Sequence, residues 1–193
     1  SCATKVVSLP TTPDGQALST EAGLREIHPE QDLIVSSCDH GIVVSDDIWS
    51  KFHKNPDCDA AIFTITGFPG VLRRPEAYAY VKAETDLTVS SVSVKKPISP
   101  TPDRDPLLVG TFWFKKAKLL KEGIEVMKRH PELRVNGELY LDSIFNIFIN
   151  KLNLKVRIIP LSGYINWGDP QSLAEALYWE ENFLNPDKRR SRV

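Results

Sequence analysis

The chain has 193 residues, 41% of them apolar and 25% charged, which is enough for one globular domain with a core of its own. Its formal net charge is −1, so no global field favours nucleic acid or anionic lipid. No apolar run approaches the roughly 20 residues of a membrane span.

In chain order, Thr4–Leu9 reads as a short strand and "TTPDG", Thr11 to Gly15, as a turn. Ala17, Leu18, Ala22, Leu24 and Ile27 carry helical spacing through His28. Asp32–Cys38 is expected as a buried strand. Ser45 as N-cap, with Asp46 and Asp47 in the first turn, predicts a helix to Asn55. Asp59–Gly67 reads as a second buried strand. Tyr78–Glu84 and Thr88–Lys96 alternate around "TDL" and predict a hairpin. The proline-rich stretch Pro97–Pro106 is loop. An apolar strand, Leu107–Phe114, precedes an amphipathic helix ended by Pro131 and a second helix over Gly137–Leu152. Strands over Leu154–Leu161 and Gly163–Trp167 lead into a last helix, with Asp169 as its cap and Pro170 in its first turn.

This alternation predicts an α/β domain with an open sheet over 1–184, followed by a basic tail over 185–193. The hairpin and its loop read as an insertion at the carboxyl edge of the sheet, the edge at which such folds bind ligands. Cys2, Cys38 and Cys58 show no CxxC spacing, and His28, His40, His53 and His130 form no HxxxH pair. That argues against zinc, and the cysteines fit a reducing cytoplasm.

Several residues carry candidate chemistry. Asp39 ends a strand, where its carboxylate suits a hard cation such as Mg2+ or simply starts a turn. Glu138 and Asp142 are four apart and would share one helix face; they offer a second carboxylate, or acids favoured by a helix N-terminus. Lys95 and Lys96 close the hairpin, either as point charges for a phosphate or as a solvated strand end. The turn before Gln16 could hold a phosphate or a base edge, which the Gln16 amide could read. It is no P-loop, because GxxxxGK followed by Ser or Thr is absent. Trp167 could wall a sugar pocket or be a buried aromatic.

Taken in order, these segments resemble the sugar-1-phosphate nucleotidyltransferases, the nucleotide-sugar pyrophosphorylases such as glucose-1-phosphate thymidylyltransferase. "TTPDGQA" is similar to the family's base-proximal loop, and "VSSCD" to the strand that ends in a metal-binding Asp. "RRPEAYAYVKAE" resembles a segment usually read Pro-Glu-x-Tyr-Gly-Val-Val-Glu. "VKKPIS" resembles a Glu-Lys-Pro segment, and "LLVGTFWF" the strand after it. "GELYLDSIFNIFI" resembles the helix with the second metal carboxylate, and "YINWGDPQSL" the closing turn. The likeness runs from about Val6 to Phe183.

The resemblance implies a Rossmann-like nucleotidyltransferase fold: an open, mixed, mostly parallel sheet flanked by helices, with an inserted β-hairpin. It implies Mg2+-dependent transfer of a nucleotidyl group from a nucleoside triphosphate to a sugar-1-phosphate. Asp39 and Asp142 would hold the metal, and Lys96 the sugar phosphate. Gly15 and Gln16 would face the base. Ala79, Lys95, Gly110 and Glu138 would line the sugar pocket. Ala79 stands where the family has Gly, Lys95 replaces a Glu, and the Glu138–Asp142 spacing is one residue short. The family's opening strand and glycine-rich loop, Gly-x-Gly-Ser/Thr-Arg, has no counterpart here. The expectation is an N-terminally incomplete domain, inactive alone, with a missing N-terminal segment or a homo-oligomeric partner. A non-catalytic sugar-phosphate or nucleotide-binding module and a glycosyltransferase of a related fold are the alternatives.

Overall fold

The computed structural model describes residues 4–54 and 56–184. Cys2 and the expected tail at 185–193 lie outside the described residues. The fold is organised by "LLVGTFWF", an apolar run rich in β-branched and aromatic residues that suit a strand covered on both faces. It forms β6 (Leu107–Phe114), seven of whose eight residues are buried. The sheet around it has the order β5-β4-β6-β3-β7, built from β3 (Ala60–Ile65), β4 (Ala79–Ala83), β5 (Val89–Val94) and β7 (Val156–Pro160). A further strand, β1 (Leu33–Ser36), pairs with β6 beyond the end of β4.

β6 runs antiparallel to β1, β3 and β4, while β3 and β7 are parallel. Four of the six strands, β1, β3, β4 and β7, therefore point one way, and β5 and β6 oppose them. This is an open mixed sheet flanked by helices, as expected. The hairpin β4–β5 is joined to it, with Ala79 and Tyr80 opposite Leu108 and Leu107.

The two-residue period of the strands sends side chains to opposite faces. Ala60, Ile62, Phe112 and Phe114 meet one helical layer. It comprises α1 (Gln16–Leu24), α3 (Ala117–Lys128) and α4 (Ile144–Asn150). Ala61, Phe63, Val109 and Trp113 meet α2 (Asp46–Lys54) through Ile48, Trp49 and Phe52. A two-stranded sheet, β2 (His40–Val43) with β8 (Gly163–Asn166), packs on the α2 side through Ile42 and Tyr164. The chain then enters α5 (Pro170–Trp179). Its cap is the expected one: Asp169 accepts from the Gln171 and Ser172 amides, each at 3.0 Å.

Four expectations differ from the structure. Thr4–Leu9 is coil with Val6 82% exposed, because no strand of the described residues pairs with it. β1 is half-exposed, alternating partly buried and exposed residues, since Ile34 faces outward at 51%. β2 was not expected; it is four residues long and contains a glycine. The helix over Gly137–Leu152 begins later. Asn136 (φ 54) and Gly137 (φ 86) form a tight turn that pairs Val135 with Glu138, the Asn-Gly signature of a two-residue hairpin. A 3-10 turn, Leu141–Ser143, then leads into α4. Glu138 and Asp142 consequently share no helix face.

Candidate functional site

β6 kinks where the site forms. Its residues 107–108 pair with β4, but 111–114 pair with β1. Between them three residues, Val109–Thr111, face the single Phe63 of β3, because Ile62 opposes Phe112 and Thr64 opposes Leu108. Gly110 occupies this bulge at φ 76, a conformation that favours glycine. A Cβ there would lie 2.9 Å from the Ser37 hydroxyl. The bulge thus lets the carboxyl end of β1 close over β6 and turn into β2.

A cavity of about 180 Å³ opens at this point. Gln16, Asp39, Ala79, Lys95, Gly110 and Asp142 all line it. These six come from six separate segments and are six of the nine residues expected from the sequence. The other three are not among its lining residues. Gly15 sits one residue before Gln16. Lys96 is exposed, with its carbonyl taken by the Ser93 hydroxyl at 2.7 Å. Glu138 is held in the Asn136–Gly137 hairpin.

Asp39 is exposed at the mouth of the strand, its side chain 54% accessible. What fixes its backbone is a set of neighbours. The Trp167 amide donates to the Asp39 carbonyl at 3.0 Å, and the Trp167 indole donates to the Cys38 carbonyl at 3.3 Å. Trp167 is therefore a clamp across the β1–β2 corner. His40 is buried beside it. Its Nδ1 lies 2.9 Å from the Ser37 hydroxyl and its Nε2 2.8 Å from the Thr111 hydroxyl, and Thr111 also meets Ser36 at 2.8 Å. Every buried polar side chain among the described residues is satisfied, as such networks require.

Asp142 is half-buried in the 3-10 turn, and desolvation raises its carboxyl to about 6, against smaller opposing effects of a backbone hydrogen bond and then of the Lys95 charge. The Lys95 ammonium stands 5.0 Å over the centre of the Tyr140 ring, a cation–π contact. The loop before α1 is clasped to this segment by two backbone hydrogen bonds, Leu139 to Asp14 and Ala17 to Leu139, each 3.1 Å. Gly15 permits that approach: it has φ 112, and a Cβ on it would lie 2.6 Å from Leu139 backbone atoms.

The cavity lining carries oxygen donors of the kind Mg2+ takes, the carboxylates of Asp39 and Asp142 with the amides of Gln16 and Asn166 and the Ser37 hydroxyl. No group of three or more His, Cys, Asp or Glu forms a metal site among the described residues. Mg2+ is usually bound through one or two carboxylates plus substrate phosphates, and Asp39 and Asp142 are the carboxylates that line this cavity. Sequence reasoning missed Ser37, His40, Tyr140, Tyr164 and Asn166, which also line the cavity. For Tyr140, its place between Glu138 and Asp142 was an available signal; for the others only the paired strands supply one. A larger cavity, about 460 Å³, adjoins across Tyr164 and Asn166. It contains none of the expected residues, so the chemistry is assigned to the smaller one.

The fold is that of solved sugar nucleotidyltransferases. A nucleoside-diphosphate-sugar pyrophosphorylase from Vibrio cholerae RC9 matches with a TM-score of 0.67 at 21% identity, over 88% of this chain and 67% of its own. A Bacillus anthracis protein assigned as a glucose-1-phosphate thymidylyltransferase, solved with sucrose, gives 0.62 at 17% identity, over 90% and 64%. HddC from Yersinia pseudotuberculosis, complexed with GMP-PN, gives 0.55 at 15% identity, over 86% and 63%. The chain spans about two thirds of the length of these structures. At such identities the likeness is one of fold. No family model and no curated protein matches the sequence.

Proposed function

We propose that this chain of nucleotidyltransferase fold binds a nucleoside triphosphate and a sugar-1-phosphate with Mg2+, as part of an enzyme that joins them with release of pyrophosphate. The reading rests on one observation: Gln16, Asp39, Lys95, Gly110 and Asp142 converge on a single cavity in that fold. Asp39 would hold the metal, with Asp142 as the second carboxylate. The Gly15–Gln16 turn would face the base. Lys96 would reach the sugar phosphate from the rim, and Ala79, Lys95, Gly110 and Glu138 would receive the sugar. The free thiols Cys38 and Cys58 suit a reducing, cytoplasmic setting.

Bound there, Mg2+ would neutralise phosphate charge and template an in-line displacement. The chain's own part is positioning. The clamp of Trp167 on the β1–β2 corner holds Asp39 in place, and the clasp between Asp14 and Leu139 holds the base loop against the Asp142 segment. Catalysis by orientation of this kind needs fixed partners. The glycine-rich triphosphate cradle is not encoded in these 193 residues. Loss of one preorganised donor costs about 10²–10³ in rate, so we infer that the chain binds substrates but does not turn them over unaided.

Calorimetric titration with sugar-1-phosphates and nucleoside triphosphates, with and without Mg2+, tests this. Mg2+ should tighten binding at least about tenfold, and Asp39→Ala should remove that gain. Equal affinity with and without the metal would favour a non-catalytic binding module. Release of nucleoside diphosphate from a nucleotide-sugar and an acceptor would favour a glycosyltransferase. Pyrophosphate production by the isolated chain would refute its need for a cradle. Asp142→Asn tests the second carboxylate: it should also remove most of the gain from Mg2+.

A further inference from the structure

Helix α5 leans on the rest of the protomer without burying itself. None of its residues is buried, and only Ser172 and Ala176 are partly covered. Two side-chain links tie it back: the Arg73–Glu175 ion pair at 3.2 Å and the Asn166 amide to the Ser172 hydroxyl at 3.3 Å. A helix of this length is marginal in water alone, and helices in proteins draw most of their stability from packing an apolar face. Leu173 and Leu177, one turn apart, share such a face, and both are exposed, as are Tyr178 and Trp179 beside them.

The two-stranded sheet continues this surface. Ile42 and Tyr164 turn inward, so Val43 and Ile165, opposite Gly163 and Gly41, stand together on the outer face. Ile165 lines the cavity of about 460 Å³ with Ala176 and Trp179 of α5, which makes sheet and helix one apolar face. Val43, Ile165, Leu173, Leu177, Tyr178 and Trp179 are 44–59% exposed. Together they present on the order of 600 Å² of apolar surface, close to the roughly 800 Å² per partner of a standard interface. Charge says what covers it. In a chain that is 25% charged, Glu175 is the sole Asp, Glu, Lys or Arg of β2, β8 and α5, and Arg73 already neutralises it. Such a face offers nothing to a basic or acidic partner or to an anionic membrane. An interface between identical patches meets its own charges across the two-fold axis, and a patch with no unpaired charge is one that can face itself.

We propose that the outer face of β2–β8 and the exposed side of α5 form a two-fold interface with a second copy of this chain. The inference does not rest on the function proposed above. The interface buries Leu173, Leu177 and Ile165 against their equivalents and gives α5 the packing that its own protomer withholds.

Sedimentation equilibrium of the full chain from about 1 to about 100 µM tests it. The mass should rise with concentration from that of one copy to that of two, and no further. Ile165→Lys and Leu177→Lys each place a charge on the face and should raise the dimer dissociation constant about tenfold or more. Both residues are exposed in the protomer, so circular dichroism should stay as in the parent. Ile34→Lys puts the same charge on an equally exposed residue of β1 and should leave the dimer as it is. A single copy over the whole range would overturn the inference. A dimer that survives Ile165→Lys and Leu177→Lys, or that Ile34→Lys dissolves instead, would also overturn it and place the contact elsewhere. A monomer that cosediments with neutral phosphatidylcholine vesicles would give the face to a lipid surface and overturn it as well.

Discussion

Asp39 rests against Gly168. A Cβ at position 168 would lie 2.6 Å from Oδ2 of Asp39 and 3.3 Å from the carboxylate carbon. The bare backbone of the turn into α5 therefore sets where the candidate metal carboxylate comes to lie. Gly168→Ala meets the end of the exposed Asp39 side chain and, at 3.3 Å, Oδ1 of Asn166, both side-chain atoms that can shift, so stability should change by no more than about 1 kcal/mol. Displacement of the carboxylate by an ångström should nonetheless weaken Mg2+-dependent substrate binding about tenfold or more. Urea unfolding and calorimetry on the same variant separate the two effects. A variant that binds Mg2+ and substrate as the parent does would detach Asp39 from the metal.

Gly15 is the opposite case. Its Cβ would meet Leu139 backbone atoms at 2.6 Å, and its φ of 112 is itself unfavourable for alanine. Neither obstacle can swing away. Gly15→Ala should lower unfolding stability by roughly 2–4 kcal/mol and loosen the clasp of the loop before α1. Hydrogen exchange at the Ala17 and Leu139 amides should rise with it. A loss below about 1 kcal/mol would mean that the loop relocates freely.

Asp142 supplies a prediction in pH. Burial raises its carboxyl from the ordinary 3.8 to about 6. The folded chain thus holds this proton more tightly than the unfolded chain does. Its contribution favours folding most below about pH 4 and is lost as pH rises through about 6. Asp142→Asn, unfolded in urea with a chelator present, should match the parent near pH 4. It should exceed the parent by roughly 1–3 kcal/mol at pH 7.5. An identical difference at both pH values would show that the carboxyl titrates normally.

His40 holds the bulge of β6 to the corner of β1 through Ser37 and Thr111, at 2.9 and 2.8 Å. His40→Phe keeps a ring but leaves those hydroxyls without its nitrogens. The expected loss is roughly 1–3 kcal/mol of unfolding stability. Unchanged thermal unfolding would show that the hydroxyls satisfy one another without it.

The buried strands were legible because β3 and β6 are covered on both faces, and such strands write themselves as unbroken apolar runs. Helix α3 was legible from its spacing and the proline after it. The beginning of α4 was not legible because the Asn136–Gly137 turn runs straight into an apolar segment of helical character. β2 was invisible for a different reason: four residues with one glycine have no pattern of their own, and pairing with β8 creates the strand. In the site, Asp39, Asp142 and Gln16 could be named because each belongs to a short contiguous motif. The Ser37–His40–Thr111 network could not, since His40 and Thr111 are 71 residues apart and meet only through the β1–β6 pairing.

Asn146 has a consequence beyond the packing of α4. Its side-chain amide accepts from the Val92 N–H at 2.9 Å and donates to the Val92 carbonyl at 2.7 Å. β5 is the last strand on its side of the sheet, and Val92 lies near its middle. The outward N–H and carbonyl of such a strand are the groups through which another chain would add itself and begin a growing stack. A single asparagine, reaching across from a helix, occupies both, so a strand added at this edge would find the middle of β5 already taken.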